Sequence, residues 1–282
     1  MTNPIATLNG THELQERYSS LILQKLRANT VFLALMNRRY EGTPTAGAVK
    51  IPVRDGEVTV NSNYNVVNGG SMTTSATEYL TLPIDKDDYV NELIDGYEAA
   101  AVPDNLVADR LDSAGYALAK NLDTTLSTML TTTGNYTASA AGNTALTTAT
   151  AYDAIIDDQV VLKKAHVKVP EMWLVVAPET TALLLKDTTH FIKASDLGDS
   201  FLVNGQVGKI AGMPVIESDN LPTGVEYIIG NSIYAHYVGE WAVLPAIKDL
   251  ADGKHIGASA LQGRRVHGET VSRPTTIIVK KK

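Results

Sequence analysis

The residues with the best potential for chemistry are six histidines and two pairs of adjacent aspartates. No two histidines have the i, i+4 spacing that places a metal-binding pair on one face of a helix. Asp87–Asp88 and Asp157–Asp158 are interpreted as solvated helix faces, where adjacent side chains point about 100° apart and cannot converge on one substrate. The histidines are interpreted as ordinary surface or core residues: His12, His166, His190, His236, His255 and His267.

Motifs that commonly carry catalysis or cofactor binding are absent from the sequence. It contains no cysteine, which excludes thiolate catalysis and cysteine-based metal sites. It contains no G-x-S-x-G nucleophile elbow, no G-x-x-x-x-G-K-[ST] phosphate loop and no G-x-G-x-x-G dinucleotide motif. We therefore predict no enzymatic activity, no cofactor and no catalytic or metal-binding residues.

The net charge of −7 is distributed unevenly along the chain. Residues 41–102 contain ten Asp or Glu against three Lys or Arg, whereas residues 1–40 and 246–282 are net basic. Two interpretations stay open: solvated faces that merely differ in charge, or an acidic segment of one copy that docks on the basic terminal segments of another. In the second, complementary potentials would fix the register of the contact more than its affinity. The lack of a dense basic stripe argues against a nucleic-acid reader.

The first half of the chain consists of elements that need a partner surface. Apolar residues at spacings of three and four predict an amphipathic helix over residues 14–26. From about Gly42 to Pro83, the segments AVKIPV, EVTVNSNYNVV and TEYLTLPI alternate with period two and predict a long two-stranded excursion, which is marginally stable alone. Residues 104–130 keep a single apolar stripe, which predicts a helix about 40 Å long.

The second half begins after the low-complexity stretch 131–150 and predicts an α/β lobe. Thr150 is predicted to cap a helix that starts with TAYDAIIDD, and MWLVVA is predicted to be a buried strand with Trp173 in the core. PETTALLLKD predicts a short helix, and four later apolar segments complete a mixed sheet. The strand-like segment after Asp252 is placed against the long helix, so the α/β lobe is predicted to be an insertion.

Three segments carry a resemblance to a known family: VVLKKAHVKVPEMWLVVAPETTALLLKD, KASDLGDSFLVNGQVGKIAGMPVIESDNLP and RVHGETVSRPTTIIVKKK. The second of them contains a G-x-P-V-x-x-S-x-x-L-P pattern, from Gly212 to Pro222. In this order, after a helical arm, a ribbon and a long helix, they resemble the tailed-bacteriophage major capsid protein of the Hong Kong 97-type capsid fold. The resemblance implies an α+β subunit of a homo-oligomeric shell, with nearly the whole chain covered.

The resemblance also implies a division of the chain into four parts. The N-terminal arm is expected over 1–41 and the extended β-ribbon, or E-loop, over 42–85. The peripheral domain, with the long spine helix, is expected over 86–149 and 249–282. The inserted axial domain is expected over 150–248, with its 187–206 loop directed to the centre of a pentamer or hexamer.

Eight residues are predicted to contact neighbouring subunits. Arg38 and Arg39 belong to the basic arm, and the acidic segment supplies two aspartates. Two tyrosines are chosen because aromatic side chains are enriched at interfaces. The 187–206 loop supplies two more aspartates. The predicted contact residues are Arg38, Arg39, Tyr64, Tyr79, Asp87, Asp88, Asp196 and Asp199.

The sequence departs from some members of that family in two ways. Residues 56–84 contain no lysine, so the covalent cross-links between subunits that some members form are not expected. The N-terminal region is too short for a built-in scaffolding segment, so a separate scaffolding protein is expected, with a portal and a decoration protein as further partners. No membrane span or secretion signal is predicted, and assembly is expected in the host bacterial cytoplasm, with the virion as the final location.

Two alternatives stay open at this stage. An encapsulin nanocompartment shares the fold and encloses protein cargo, and the N-terminal helix is compatible with it. A surface adhesin or glycan-binding module would explain the threonine-rich ribbon and loops. The shell hypothesis predicts enclosed double-stranded DNA without sequence-specific binding, and a net acidic subunit suits that, because a basic interior would bind the packaged DNA tightly.

Overall fold

The structure is a computed structural model that describes residues 30–39, 47–53, 60–62, 64, 66–67, 69–70, 78–96, 106–187, 192–193, 206–251 and 253–282. The helix predicted over residues 14–26 lies outside the described residues, as do Asp196 and Asp199. In chain order the described elements are α1 (Phe32–Leu35), β1 (Ala48–Val53), β2 (Glu78–Pro83), β3 (Lys86–Ile94), α2 (Leu106–Thr131), β4 (Thr137–Ala138), α3 (Ala151–Lys164), β5 (Met172–Val176), α4 (Pro178–Lys186), β6 (Ile192–Lys193), β7 (Gln206–Ile210), β8 (Met213–Glu217), β9 (Val225–Asn231), β10 (Ala235–Asp249), β11 (Ser259–Val271) and β12 (Ile278–Lys281).

Strands β1 and β2 form a two-stranded antiparallel ribbon, as their alternating sequences predict. The register runs from Ala48 opposite Pro83 to Val53 opposite Glu78. The strand predicted over EVTVNSNYNVV is not seen among the described residues of that segment, which lie outside any strand. The ladder therefore joins the two ends of the excursion nearest to the body of the protein.

A three-stranded antiparallel sheet has the order β10–β11–β3. Strand β3 corrects the sequence interpretation, since Asp87 and Asp88 were assigned to a helix face and lie on a strand. The physical reason is long-range pairing: β11 supplies the hydrogen-bond partners, from Ser259 opposite Ile94 to His267 opposite Lys86. On a strand, adjacent side chains point to opposite faces, so the two carboxylates diverge in any case.

A seven-stranded mixed sheet has the order β4–β12–β9–β5–β8–β7–β6 and lies between two layers of helices. Strand β5 is buried along its whole length, as its continuous apolar sequence predicts. Even-numbered β5 side chains, such as Leu174, pack with α3 and α4, whereas Trp173 and Val175 pack with α2. Trp173 is 2% exposed, which confirms its predicted place in the core.

Helix α2 carries the predicted apolar stripe, with Leu118, Leu122, Leu126 and Leu130 buried. Its partners include Ile277 and Val279 at the C-terminus, so the C-terminal segment does pack against the long helix. Among the described helices, none is long and apolar enough to cross a membrane.

The C-terminal strand β12 also belongs to the seven-stranded sheet, where it pairs with β9. Residues 249–282 were assigned to the peripheral domain, yet this strand completes a sheet made mainly of residues from 150–248. Its Lys280 is fully buried and donates from Nζ to the carbonyl oxygens of Gly142 and Thr144, at 2.8 and 2.6 Å. The carboxylate of Glu226 lies 3.5 Å away, so this lysine is neutralised inside the fold rather than exposed as part of a basic tail.

Helix α3 begins as predicted after Thr150, but the threonine does not cap it. The side chain makes no hydrogen bond to the first turn. Its Oγ1 instead accepts a hydrogen bond from the backbone N–H of Thr147 at 3.0 Å. The hydroxyl is used by the turn that precedes the helix, so it is not available as a cap.

Candidate functional site

The foot of the ribbon, residues 83–85, rests on the three-stranded sheet. Ile51 and Leu82 of the ribbon are buried against Val238 of β10. Opposite Val238 lies Gly268 of β11, where an added Cβ would come within 1.9 Å of the carbonyl oxygen of Pro83. Only glycine permits so close an approach of the two backbones.

The ribbon exposes apolar side chains that its own ladder does not cover. Tyr64 is 74% exposed and Tyr79 is 64% exposed. Val60, Val66 and Val67, in the same excursion, are each more than four-fifths exposed. Both tyrosines are thus accessible to another molecule, and their role as subunit contacts stays a prediction.

The start of β3 is joined to β11 by three ionic contacts, which we call the ionic clasp. Lys86 pairs with Glu269, Asp87 with Arg264, and Asp88 with His267. The Nε of Arg264 lies 2.9 Å from Oδ1 of Asp87, and the Nε2 of His267 lies 3.0 Å from Oδ2 of Asp88. Asp87 and Asp88, predicted to face another subunit, therefore have partners on their own chain.

The centre of the clasp is buried. His267 has no exposed side-chain area, and its Nδ1 lies 3.1 Å from Oε2 of Glu269, which is 1% exposed. Burial lowers the pKa of His267, but hydrogen bonds and charge attraction from Glu269 and Asp88 outweigh it and raise the pKa above its ordinary value. Burial raises the pKa of Glu269, but His267 and Lys86 outweigh it and lower the pKa.

The inner end of the N-terminal arm is fixed by Asp123, which lies on α2 and is 1% exposed. Its Oδ1 accepts hydrogen bonds from the backbone N–H groups of Val31 and Phe32 at 2.9 and 2.7 Å. Its Oδ2 accepts one from the side-chain amide of Asn220 at 2.8 Å. Burial raises the pKa of Asp123, and these three hydrogen bonds counteract it. The fully buried ring of Phe32 completes the anchor.

The two arginines predicted as contacts follow directly after a second anchor. Asn37 pairs with His236 at the start of β10, its backbone nitrogen 2.7 Å from the carbonyl oxygen of Ala235. Arg38 and Arg39 come next and are exposed. The structure therefore fixes the point from which this basic pair leaves the body of the protein.

Sequence reasoning missed Asp123 and His267. A charged residue beside Leu122 on the apolar stripe of a helix was a usable signal for Asp123. No comparable signal marked His267, because its partner Asp88 is 179 positions away. Among the described residues, no group of three or more His, Asp or Glu side chains is placed to hold a metal ion.

The family described as phage capsid protein matches residues 96–279, which is more than half of the chain. The chain belongs to this family. No curated protein matches the capsid chain.

Solved capsid chains share the fold over nearly the whole length. A chain from Mycobacterium phage Che8 matches with a TM-score of 0.78 at 25% identity, covering 96% of this chain and 98% of that chain. The capsid of cyanophage P-SCSP1u matches at 0.73 and 17% identity, covering 100% of this chain and 98% of that chain. The mature capsid of bacteriophage PhiM1 matches at 0.69 and 15% identity, covering 95% of this chain and 92% of that chain.

These matches confirm the predicted Hong Kong 97-type capsid fold and a phage capsid protein that forms a shell. They do not favour the encapsulin or the adhesin. The contact residues and the division into arm, ribbon, peripheral and axial parts stay predictions for this capsid protein.

Proposed function

We propose that this capsid protein forms the pentamers and hexamers of an icosahedral shell around double-stranded phage DNA. The observation that carries the proposal is the ribbon, which is fixed at its foot and exposes Tyr64, Tyr79 and three valines beyond it. A two-stranded ribbon with uncovered apolar side chains gains stability when it lies on another surface. A neighbouring copy of the same chain supplies that surface in a closed shell.

The predicted contacts divide into two groups. Arg38, Arg39, Tyr64 and Tyr79 are exposed, and we propose them as contacts to neighbouring subunits. Asp87 and Asp88 have partners on β11, so we propose that they position the ribbon foot, and that the basic arm docks on other acidic residues of the 41–102 segment.

We further propose that Asp196 and Asp199 belong to a loop directed to the capsomer centre. The division into an arm (1–41), a ribbon (42–85), a peripheral domain (86–149 and 249–282) and an axial domain (150–248) belongs to the same proposal. Three strands cross these bounds: β4 and β12 belong to the seven-stranded sheet of the axial part, and β10 pairs with β11 in the three-stranded sheet.

The proposed function of the chain is structural: it assembles into a container and catalyses no reaction. The net charge of the subunit is −7, and like-charge repulsion between it and the phosphates of the enclosed DNA prevents tight binding of the shell to the DNA. A separate scaffolding protein, a portal and a decoration protein are the proposed partners, and assembly is proposed to occur in the host bacterial cytoplasm. The absence of lysine from residues 56–84 favours a shell without covalent cross-links.

Negative-stain microscopy of the purified chain, expressed with and without the neighbouring phage genes, tests the proposal. We expect closed shells or capsomers, with diameters on the order of tens of nanometres, because each particle contains many copies of the chain. A strictly monomeric species under all conditions would contradict the proposal. Shells that enclose a protein cargo in place of nuclease-protected DNA would favour a nanocompartment instead.

A further inference from the structure

The ribbon leads directly into the ionic clasp. Strand β2 ends at Pro83, and β3 begins at Lys86, whose next two residues are Asp87 and Asp88. All three side chains bind residues of β11. The first three residues of β3, directly beyond the ribbon, are therefore attached to the body of the subunit by ion pairs.

Strand β11 connects the clasp to the ribbon foot through consecutive residues. His267 and Glu269 point to the clasp, and Gly268 between them lies against Pro83. Alternate residues of a strand face opposite sides of the sheet, so His267 and Glu269 lie on one face of this short segment and the contact of Gly268 with the ribbon foot lies on the other. A displacement of His267 or Glu269 therefore moves the surface on which the ribbon foot rests.

The charges around His267 make it the cation that two carboxylates share. Asp88 approaches from β3 and Glu269 from β11, while Lys86 neutralises only Glu269. From β10, the neutral Tyr237 ring lies 6.0 Å from the imidazole. From α2, the side chains that line the groove beside Lys86 are uncharged: Thr124, Thr125, Thr128 and Met129.

The remaining cations of β11 do not replace the histidine. Arg265 lies over the rings of Tyr237 and Trp241, at 5.3 and 5.2 Å. Arg264 points to the other face and binds Asp87. Without its proton, His267 can still donate one hydrogen bond, but it leaves one of the two carboxylates without a donor from the ring.

We propose that the proton on His267 fixes the ribbon foot, and that its loss loosens the start of β3 and allows the ribbon to change its angle to the subunit body. This makes the ribbon foot a pH-sensitive joint. The inference rests on the proposed role of the ribbon as a contact between subunits, but the joint itself is a property of a single chain.

The sign of the pH dependence follows from the two pKa shifts. The fold raises the pKa of His267, so its stabilisation is complete below the ordinary histidine value and is lost as the pH rises through the folded value. The fold lowers the pKa of Glu269, so its stabilisation is lost only as the pH falls through the folded value, on the acid side. The clasp is therefore most stable in mildly acidic solution and loosens as the pH rises through the folded pKa of His267.

Hydrogen–deuterium exchange on the unassembled full-length subunit measures this opening. We expect the protection factors of the β2 and β3 amides, corrected for intrinsic exchange, to fall when the pH is raised from about 6, near the ordinary histidine pKa, to about 9. The opening constant should rise about tenfold for each unit by which the fold raises the pKa of His267. Amides of β5, which is buried elsewhere in the fold, serve as the internal reference.

Two variants separate the joint from general destabilisation. His267→Gln should give low protection of β2 and β3 at both pH values, whereas His255→Gln, at an exposed histidine, should keep the wild-type profile. A wild-type profile in His267→Gln, or a flat profile in the wild type, would overturn the proposal.

If His267→Gln fails to fold, Asp88→Asn decides the matter. Removing one carboxylate should lower the pH midpoint of the loss of protection, and an unchanged midpoint would overturn the joint. Because every readout comes from unassembled chains, a failure to form shells leaves this inference standing. Normal shells together with an exchange profile that does not change with pH would contradict the pH-sensitive joint and leave the proposed shell function intact.

Discussion

The carboxylate of Asp123 lies 2.7 Å from the backbone nitrogen of Phe32, 91 positions earlier in the chain. One buried side chain of the long helix thereby satisfies the first amide groups of a four-residue helix, α1, that is too short to be stable alone. The same relationship fixes where the arm enters the body of the subunit, before Arg38 and Arg39 leave it.

Asp123→Ala should detach the inner end of the arm. The change removes the acceptor of three hydrogen bonds, from Val31, Phe32 and Asn220, in a buried site, which costs about 2–4 kcal/mol of unfolding free energy. Urea unfolding followed by circular dichroism measures the loss. Asp157→Ala, at an exposed carboxylate on α3, is the matched control and should change stability by less than about 0.5 kcal/mol. Equal stabilities for the two variants would refute the anchor.

Gly268→Ala should displace the ribbon foot. The new methyl group would meet the carbonyl oxygen of Pro83, a backbone atom that cannot rotate away. We expect a destabilisation of about 1–3 kcal/mol, together with faster exchange of the β2 amides. Gly115→Ala is the control with the opposite sign, because its Cβ would meet nothing within 4 Å and alanine stabilises a helix interior by about 0.5–1 kcal/mol. A neutral Gly268→Ala would show that the ribbon foot does not depend on this close approach.

Tyr64→Ser combined with Tyr79→Ser should impair assembly without changing the stability of the unassembled subunit. Both rings are more than three-fifths exposed, so the single chain loses little packing. In a shell, burial of each aromatic ring against a neighbouring subunit contributes to the free energy of association. Light scattering against protein concentration measures assembly, and Val160→Ser, at an exposed side chain on α3, is the control. Assembly at the wild-type concentration would remove these tyrosines from the interface.

Local patterns predicted the long helix and the buried strand well, because each has a period that a short window of sequence shows. The stripe from Leu118 to Leu130 and the continuous apolar run of β5 needed no distant information. Strand β3 was missed because KDDYVNELI contains acidic residues that seldom occur in strands. What makes it a strand is its pairing with β11, in which Asp87 meets Arg264 at a separation of 177 positions.

The lack of information on contacts between distant residues also explains what was mispredicted at the candidate site. Sequence reasoning found that acidic and basic segments are complementary, but it assigned their contact to different subunits. Folding places β3 beside β11, so part of that complementarity is used within one chain. Tyr64 and Tyr79 were predicted from residue type, and Arg38 and Arg39 from the basic charge of the arm. The structure adds the exposure of all four side chains.

Reversing Arg38 and Arg39 to Glu should impair shell assembly while the subunit stays folded. The two side chains are exposed, and Asn37 holds the preceding backbone on β10, so the change adds no burial cost. It alters the charge of the arm by about four units and turns attraction to an acidic neighbour into repulsion. Because Asp87 and Asp88 have partners on β11, Asp87→Asn should not reproduce the defect.

The control is Lys164→Glu with Lys168→Glu, which makes the same charge change at two exposed residues beyond the arm. Sedimentation velocity separates shells from free subunits, and thermal unfolding checks the fold of each variant. A defect shared by both pairs would reflect net charge rather than a contact. Normal shells from the arginine variant would refute the proposal that this basic pair binds an acidic surface of its neighbour. A loss of assembly that is confined to the arginine variant, and is greater at low salt than at high salt, would support a direct ionic contact.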